Sequence, residues 1–285
     1  ALYLKKQGKE YRNLKLYGQE LNLITSSIAR INMFMHAIDE SEIIQGDTLD
    51  QPQFLENDEL RRFDVVMANP PYSVKRWNQA KFTNDPFGRN IWGTPPQGCA
   101  DYAFQQHIIK SLKPDTGRSV SLWPHGVLFR DAEASMRKKM IEQDIVDAVI
   151  GLGKNLFYNS SMESCLLVCN MNKPEKRRGK IIFINGVSEV RLERSDAWLE
   201  DKHIKKMADA YWKFKDIENF AKVMTNKEVL KNNGNLSLQL YVKQANSGTE
   251  YNTADLIVEI KNGQKKIDES LEDLFVHLKN IGIKV

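Results

Sequence analysis

Three cysteines in 285 residues are too few, and Cys99, Cys165 and Cys169 too unevenly spaced, for a disulfide framework. Cys165 and Cys169 share one apolar run, where they read as core packing, and a reduced, cytoplasmic protein is expected. No apolar stretch reaches the roughly 18 residues that a membrane span needs, so no membrane association is expected. The opening text "ALYLKKQGKEYRN" lacks the apolar centre of a signal peptide. An excess of one charge is also lacking: 41 basic residues against 37 acidic ones leave a net +4, which permits nucleic-acid contact without requiring it. Internal repeats and low-complexity tracts are absent, and no G-x-G occurs before Gly151.

What is present is a core-forming composition, 41% hydrophobic, arranged as short apolar runs alternating with amphipathic ones. "NLKLYG" reads as a strand and residues 21–38 as a helix, because Leu21, Ile24, Ile28, Ile31, Met35 and Ile38 recur at steps of three and four, the stripe that a helix lays on a sheet. "EIIQGD" and "FDVVMA" read as strands, 72–98 as a long irregular segment, and 101–112 as a helix. "RSVSLW", the helix 131–143, the strand "VDAVIGL", and "ESCLLVCNM" with "GKIIFIN" as a hairpin across the basic turn "NKPEKRRG" complete the pattern. This predicts an α/β domain over 1–186 with an open, mostly parallel sheet and an antiparallel edge. A charged helical extension follows over 187–245, and a polar linker with a terminal helix over 246–285. In that helix Leu256, Ile260, Ile267, Leu271, Leu274, Leu278 and Ile281 keep heptad-like spacing. It either packs on its own domain or forms a coiled coil or partner-docking helix.

The motif with chemical content is "FDVVMANPPYS", residues 63–73. The φ of Pro70 is fixed by its own ring and its ψ is held extended by the ring of Pro71, so its carbonyl points in one direction. Neither proline has an N–H. The loop therefore offers two acceptors, the Pro70 carbonyl and the Asn69 amide oxygen, to a ligand that donates two hydrogens. An exocyclic amino group on a base does so, and Tyr72 supplies a ring for stacking worth about 1–3 kcal/mol. Two acceptors draw the amine lone pair out of conjugation and toward an electrophile, which suits alkylation of the nitrogen. An ordinary strand-ending turn is the alternative. Such a four-residue string arises by chance in a chain of this length on the order of once in a thousand, and it falls where open α/β sheets bind ligands.

"NPPY" after an apolar strand resembles motif IV of S-adenosylmethionine-dependent amino-methyltransferases. "LKLYGQELNLITSSIARINMFMHAI", "IIQGDTL", "DYAFQQHIIKSLKP", "GRSVSLWPHGVLFR" and "VIGLGKNLFYNSSMESCLLVC" resemble, in order, the modification subunits of type I restriction-modification systems. The resemblance implies a Rossmann-like S-adenosylmethionine-dependent methyltransferase fold with S-adenosylmethionine as cofactor, and N6-methylation of adenine in double-stranded DNA. It implies a specificity subunit that reads the target, a second copy of the modification subunit, and in some assemblies a restriction subunit. It makes Glu20, at a strand end where acids usually bind ribose hydroxyls, and Asp47 the cofactor-binding acids. A solvated glutamate and an ordinary Gly-Asp-Thr turn are the respective alternatives. Asn69, Pro70, Pro71 and Tyr72 become the catalytic loop, and Phe157 a second stacking face unless it is a core residue. The target base would be flipped out of the duplex, at a few kcal/mol. Lys75, Arg76, Trp77, Lys81 and Arg89, with Trp92, lie in the segment after the loop, where basic and aromatic residues interleave as DNA contacts do; a solvated surface loop is the alternative.

One family element is missing. The Gly-rich cofactor turn and its strand, central to the sheet, should precede "LKLYGQE", and "GLG" at 151–153 comes too late. A strand, a Gly-rich turn and a helical domain are therefore expected upstream or from another chain, and this chain alone is expected to be inactive. The competing readings are a non-catalytic DNA-binding or assembly module and an Asn-Pro-Pro-Tyr methyltransferase acting on RNA or protein glutamine.

Overall fold

The alternation of apolar residues in the central strands sorts them onto two faces of one sheet. Cys165, Leu167 and Cys169 join Ile181 and Phe183 in a larger core, while Val168 joins Ala148, Ile150, Ile182 and Ile184 in a smaller one on the other face. Both cysteines thus pack as small apolar residues, and burial pushes both thiols upward, Cys169 to about 12. The computed structural model describes residues 2–11, 13–38, 40–157, 160–193, 196–243 and 253–280.

In chain order the strands are β1 (Leu16–Glu20), β2 (Ser41–Gln45), β3 (Leu55–Glu56), β4 (Glu59–Leu60), β5 (Val65–Ala68), β6 (Arg118–Pro124), β7 (Val146–Leu152), β8 (Ser164–Asn170), β9 (Lys180–Gly186), β10 (Arg191–Glu193), β11 (Asp196–Trp198) and β12 (Ala221–Thr225). The helices are α1 (Leu2–Lys6), α2 (Leu23–Met35), α3 (Gln79–Thr83), α4 (Asp101–Lys110), α5 (Ala134–Glu142), α6 (Asp201–Lys213), α7 (Asn226–Lys231), α8 (Leu238–Tyr241) and α9 (Thr253–Asn280). A six-stranded sheet runs β12-β9-β7-β8-β6-β5. Its β5–β6 and β7–β9 pairs are parallel, and β8 and β12 are antiparallel to their neighbours. Helices α4, α5, α7 and α8 supply the larger core and α6 the smaller.

Two expectations are corrected. β8 and β9 do not form a hairpin: β7 lies between them, parallel to β9, and β8 is inserted between β6 and β7. The turn after β8 therefore spans a neighbouring strand, which a two-strand reading of adjacent apolar runs cannot reveal. The stripe of α2 does not lie buried on a sheet either. The Asn22 side chain caps this helix by accepting from the Ile24 and Thr25 N–H groups, but Ile24, Ile28, Ile31 and Met35 are between 58% and 76% exposed.

Strands β1 and β2 form a separate parallel pair, and β5 is an end strand of the large sheet. Val66 and Ala68 of β5 pack against the larger core, whereas Val65 and Met67 are 55% and 81% exposed. Tyr17 of β1 stacks at 5.4 Å on Phe63, just before β5, so the pair and the sheet adjoin. The chain divides into two compact units, Ala1–Lys243 and Gln244–Val285. Residues 187–245 hold α6 together with β10, β11 and β12, and β12 pairs with β9. The second unit carries α9, on which Ile260, Ile267, Leu271 and Leu274 are exposed; the Leu256 side chain, Ile281 and most of the expected linker lie outside the described residues. Among the described residues no helix is long and apolar enough to cross a membrane.

Candidate active site

Parallel pairing with β6 places the end of β5 at Ala68, and the two prolines stop the ladder there because they have no N–H to continue it. Pro70 is buried, while Asn69 and Pro71 are exposed and Tyr72 is half-buried between the two cores. The Tyr72 hydroxyl donates to Asn69 Oδ1 at 2.9 Å. That bond uses one lone pair of the amide oxygen and leaves the other for a ligand. Burial raises the Tyr72 pKa above its ordinary value, which keeps the hydroxyl a donor.

The loop walls a cavity of about 310 Å³ lined by Asn69, Pro70, Pro71, Tyr72, Pro124, Phe157, Ser160, Met162, Glu163 and Ser164. Phe157 is 37% exposed, so it is a wall of this cavity rather than a core residue. The cavity is therefore aromatic and apolar with a few polar groups, the usual composition of a small-molecule or base pocket. His125 Nε2 donates to the Ser164 carbonyl at 3.1 Å, and its Nδ1 stands 3.7 Å from Glu163, which also faces Lys154 at 3.7 Å.

Glu20 and Asp47 follow the ends of two paired parallel strands, with the Gly46 N–H donating to the Glu20 carbonyl at 3.0 Å. Each spends one carboxylate oxygen on its own turn: Glu20 Oε1 accepts from the Asn22 N–H, and Asp47 Oδ1 from the Leu49 and Asp50 N–H groups. Asp47 thus does make the ordinary turn, and both acids keep a second oxygen for a hydroxyl or amino donor. That donor set fits the ribose and adenine of S-adenosylmethionine. The glycines of "GLG" do not fit a cofactor cradle. A Cβ on Gly151 would stand 2.5 Å from Leu238 Cδ1, and one on Gly153 would stand 2.7 Å from the Val187 carbonyl oxygen, so both are packing positions.

The segment after the loop divides. Lys75 and Arg76 are exposed, as a phosphate contact requires. Lys81 is tied to the Asp50 carbonyl at 2.6 Å, and Trp77 donates to the Gln97 carbonyl at 3.0 Å. Arg89 is corrected from DNA contact to internal strut: it is 0% exposed, paired with Asp85 at 2.6 Å, and donates to the Thr48 and Leu49 carbonyls at 2.8 Å each. Trp92 is buried as well, with its ring N–H on Gln143. A desolvated guanidinium with four local acceptors has nothing left for a phosphate. The sequence reading also missed Asp101, Arg130 and Glu133, which meet beneath the loop; "DYAF" opening a helix signals only a helix start.

An α/β sheet with an acceptor-bearing loop at a strand's C-terminal end, beside an aromatic cavity, defines a methyltransferase-like α/β enzyme fold. Residues 1–250 match the family described as N-6 DNA Methylase, and the chain belongs to that family. It is 33% identical to a Methanocaldococcus jannaschii protein, the type I restriction enzyme MjaVII methylase subunit, over 93% of this chain and 47% of that one. It is also 33% identical to the Mycoplasma pneumoniae type I restriction enzyme MpnII methylase subunit, over 98% of this chain and 54% of that one. The crystal structure of a type I restriction-modification system methyltransferase subunit from Streptococcus thermophilus superimposes with a TM-score of 0.75 at 34% identity, covering 81% of this chain and 49% of that one. The chain thus spans about half the length of the relatives it matches.

Proposed function

We propose that this chain is the catalytic portion of a site-specific DNA adenine N6-methyltransferase, the modification subunit of a type I restriction-modification complex whose target is chosen by a specificity subunit. The observation that carries the reading is the stiff 69–72 loop lining the same cavity as Phe157, in a chain of the N-6 DNA Methylase family. A flipped adenine would stack on Tyr72 and against Phe157. Its amino group would donate one hydrogen to the free lone pair of Asn69 Oδ1 and the other to the Pro70 carbonyl. These acceptors favour a pyramidal, nucleophilic nitrogen in a loop that needs no reorganisation. S-adenosylmethionine supplies an electrophilic methyl group when bound, with Glu20 and Asp47 as the acids that would hold its ribose and adenine. Lys75 and Arg76 would meet DNA phosphates, and α9 would dock on partner subunits.

The open face of β5 and the exposed stripe of α2 support one further element: a parallel strand between β1 and β5 with a Gly-rich turn at its end, from the same chain or another. Methyl transfer from radiolabelled S-adenosylmethionine to duplex DNA, with RNA in parallel, tests the reading in the full-length subunit assembled with its specificity partner. Incorporation into adenine N6 of DNA is expected; labelling of RNA alone, or of neither, refutes it.

A further inference from the structure

The 69–72 loop has almost no means of holding itself. Pro70 and Pro71 have no N–H, and among the described residues the first backbone N–H after them to make a hydrogen bond is that of Ser73. Ser73 sits at φ +50°, a left-handed conformation that residues with a Cβ rarely adopt without outside support. Support comes from Asp101, at the start of α4, whose Oδ1 accepts from the Ser73 N–H at 2.7 Å. Asp101 is 0% exposed. Its other oxygen accepts from Arg130 Nη2 at 2.5 Å and from the Cys99 thiol at 3.1 Å. Arg130 also donates to Glu133 at 2.9 Å and 3.2 Å, and its own carbonyl accepts from buried Arg137 at 2.7 Å. Burial pushes the Cys99 thiol to about 12, so it is a donor to the carboxylate. Burial likewise raises the Glu133 pKa. One guanidinium therefore serves two buried carboxylates, and the one nearer the loop is aimed at a backbone N–H. A carboxylate placed this way costs desolvation, and an Asp needed only to begin α4 could do so from the surface.

We propose that Asp101 is a positioning residue for methyl transfer: by anchoring the Ser73 N–H it fixes Ser73 in its left-handed conformation and so aims Asn69 and the Pro70 carbonyl. Arg130 holds the Asp101 carboxylate in its rotamer, and Glu133 holds Arg130. The inference rests on the methyltransferase reading of the 69–72 loop. It makes the loop's geometry depend on a helix start that touches neither substrate nor cofactor.

The test uses the full-length subunit with its specificity partner on duplex DNA carrying 2-aminopurine at the target adenine, and unmodified DNA for turnover. Asp101→Ala is expected to lower kcat at least tenfold and to weaken the fluorescence rise that accompanies base extrusion, with the Kd for S-adenosylmethionine within twofold of wild type. Adding Ser73→Gly should restore kcat at least threefold, because glycine adopts φ +50° without the anchor. A purely structural role would not give that rescue. If Asp101→Ala does not fold, Asp101→Asn, which keeps the shape and weakens the anchor, is compared with and without Ser73→Gly, and the same relief is expected. Unchanged kcat in Asp101→Ala, or loss of kcat without relief by Ser73→Gly, overturns the proposal. Where wild type methylates and Asn69→Ala does not, such a result overturns this inference alone. A wild-type complex that transfers no methyl group overturns the functional reading and this inference together.

Discussion

Replacing Tyr72 by Phe isolates one atom of the site. The ring remains to stack on a base and to pack between the two cores, and only the hydroxyl that donates to Asn69 Oδ1 at 2.9 Å is lost. A neutral hydrogen bond of this kind contributes about 0.5–1.5 kcal/mol net, which corresponds to about 2- to 13-fold in rate. Its loss lets the Asn69 amide rotate, but frees a lone pair that the amine can use. The two effects oppose each other, so Tyr72→Phe should lower kcat/KM at the small end of that range. Tyr72→Ala removes the stacking face as well, about 1–3 kcal/mol or roughly 5- to 160-fold, and also loses core contacts. Asn69→Ala removes an acceptor from the reacting amine and should abolish methyl transfer, on the order of 10²–10³-fold or more, while cofactor binding and folding stay near normal. Radiolabelled methyl transfer to duplex DNA by the assembled complex ranks the three. A Tyr72→Phe variant as impaired as Asn69→Ala would refute the assignment of stacking to the ring and acceptance to the amide, as would near-normal turnover in Asn69→Ala.

Arg177 pairs with Asp147 at 3.0 Å with both buried, and the Tyr211 hydroxyl donates to the same carboxylate at 2.6 Å. Arg177→Ala leaves a buried carboxylate short of its cation and should cost about 3–5 kcal/mol in denaturant unfolding. Gly153→Ala forces a Cβ against the Val187 carbonyl; it should lower stability by about 1–3 kcal/mol and leave S-adenosylmethionine affinity unchanged by calorimetry, whereas a cofactor-loop glycine would behave the other way round. Lys75→Gln and Arg76→Gln should each reduce the slope of log K against log salt for DNA binding by about 0.9. Arg89→Gln should leave that slope unchanged and lower the unfolding midpoint instead.

The parts of the fold legible in the sequence are those where a residue's neighbours lie close in the chain or repeat with a period. β7, β8 and β9 alternate between two faces, and that period of two is visible in "VDAVIGL", "SCLLVCN" and "KIIFING". The stiffness of the Asn-Pro-Pro-Tyr loop is likewise written locally, in two pyrrolidine rings. Strand order is not: nothing in β8 says that it enters between β6 and β7. Arg89 was misread because the carbonyls it serves, those of Thr48 and Leu49, are some forty positions away. Asp101 went unnoticed for the same reason, with Ser73 on another element.

The stripe on α2 is a different kind of case, because its pattern was read correctly and its burial was not. An apolar period reports that something covers a face, and carries no information about what does. Contiguous apolar side chains on α2 and on the open side of β5 are costly to leave in water, and an unpaired strand end invites another strand. A strand laid parallel beside β5 would satisfy the edge, help cover both apolar surfaces, and end where Asn69 begins. A Gly-rich turn leaving that strand would then stand next to the amine-binding loop and near the ends of β1 and β2, where Glu20 and Asp47 wait with free oxygens. Completing the sheet and completing the cofactor site are, on this geometry, the same physical step, and a variant that blocks one should block the other.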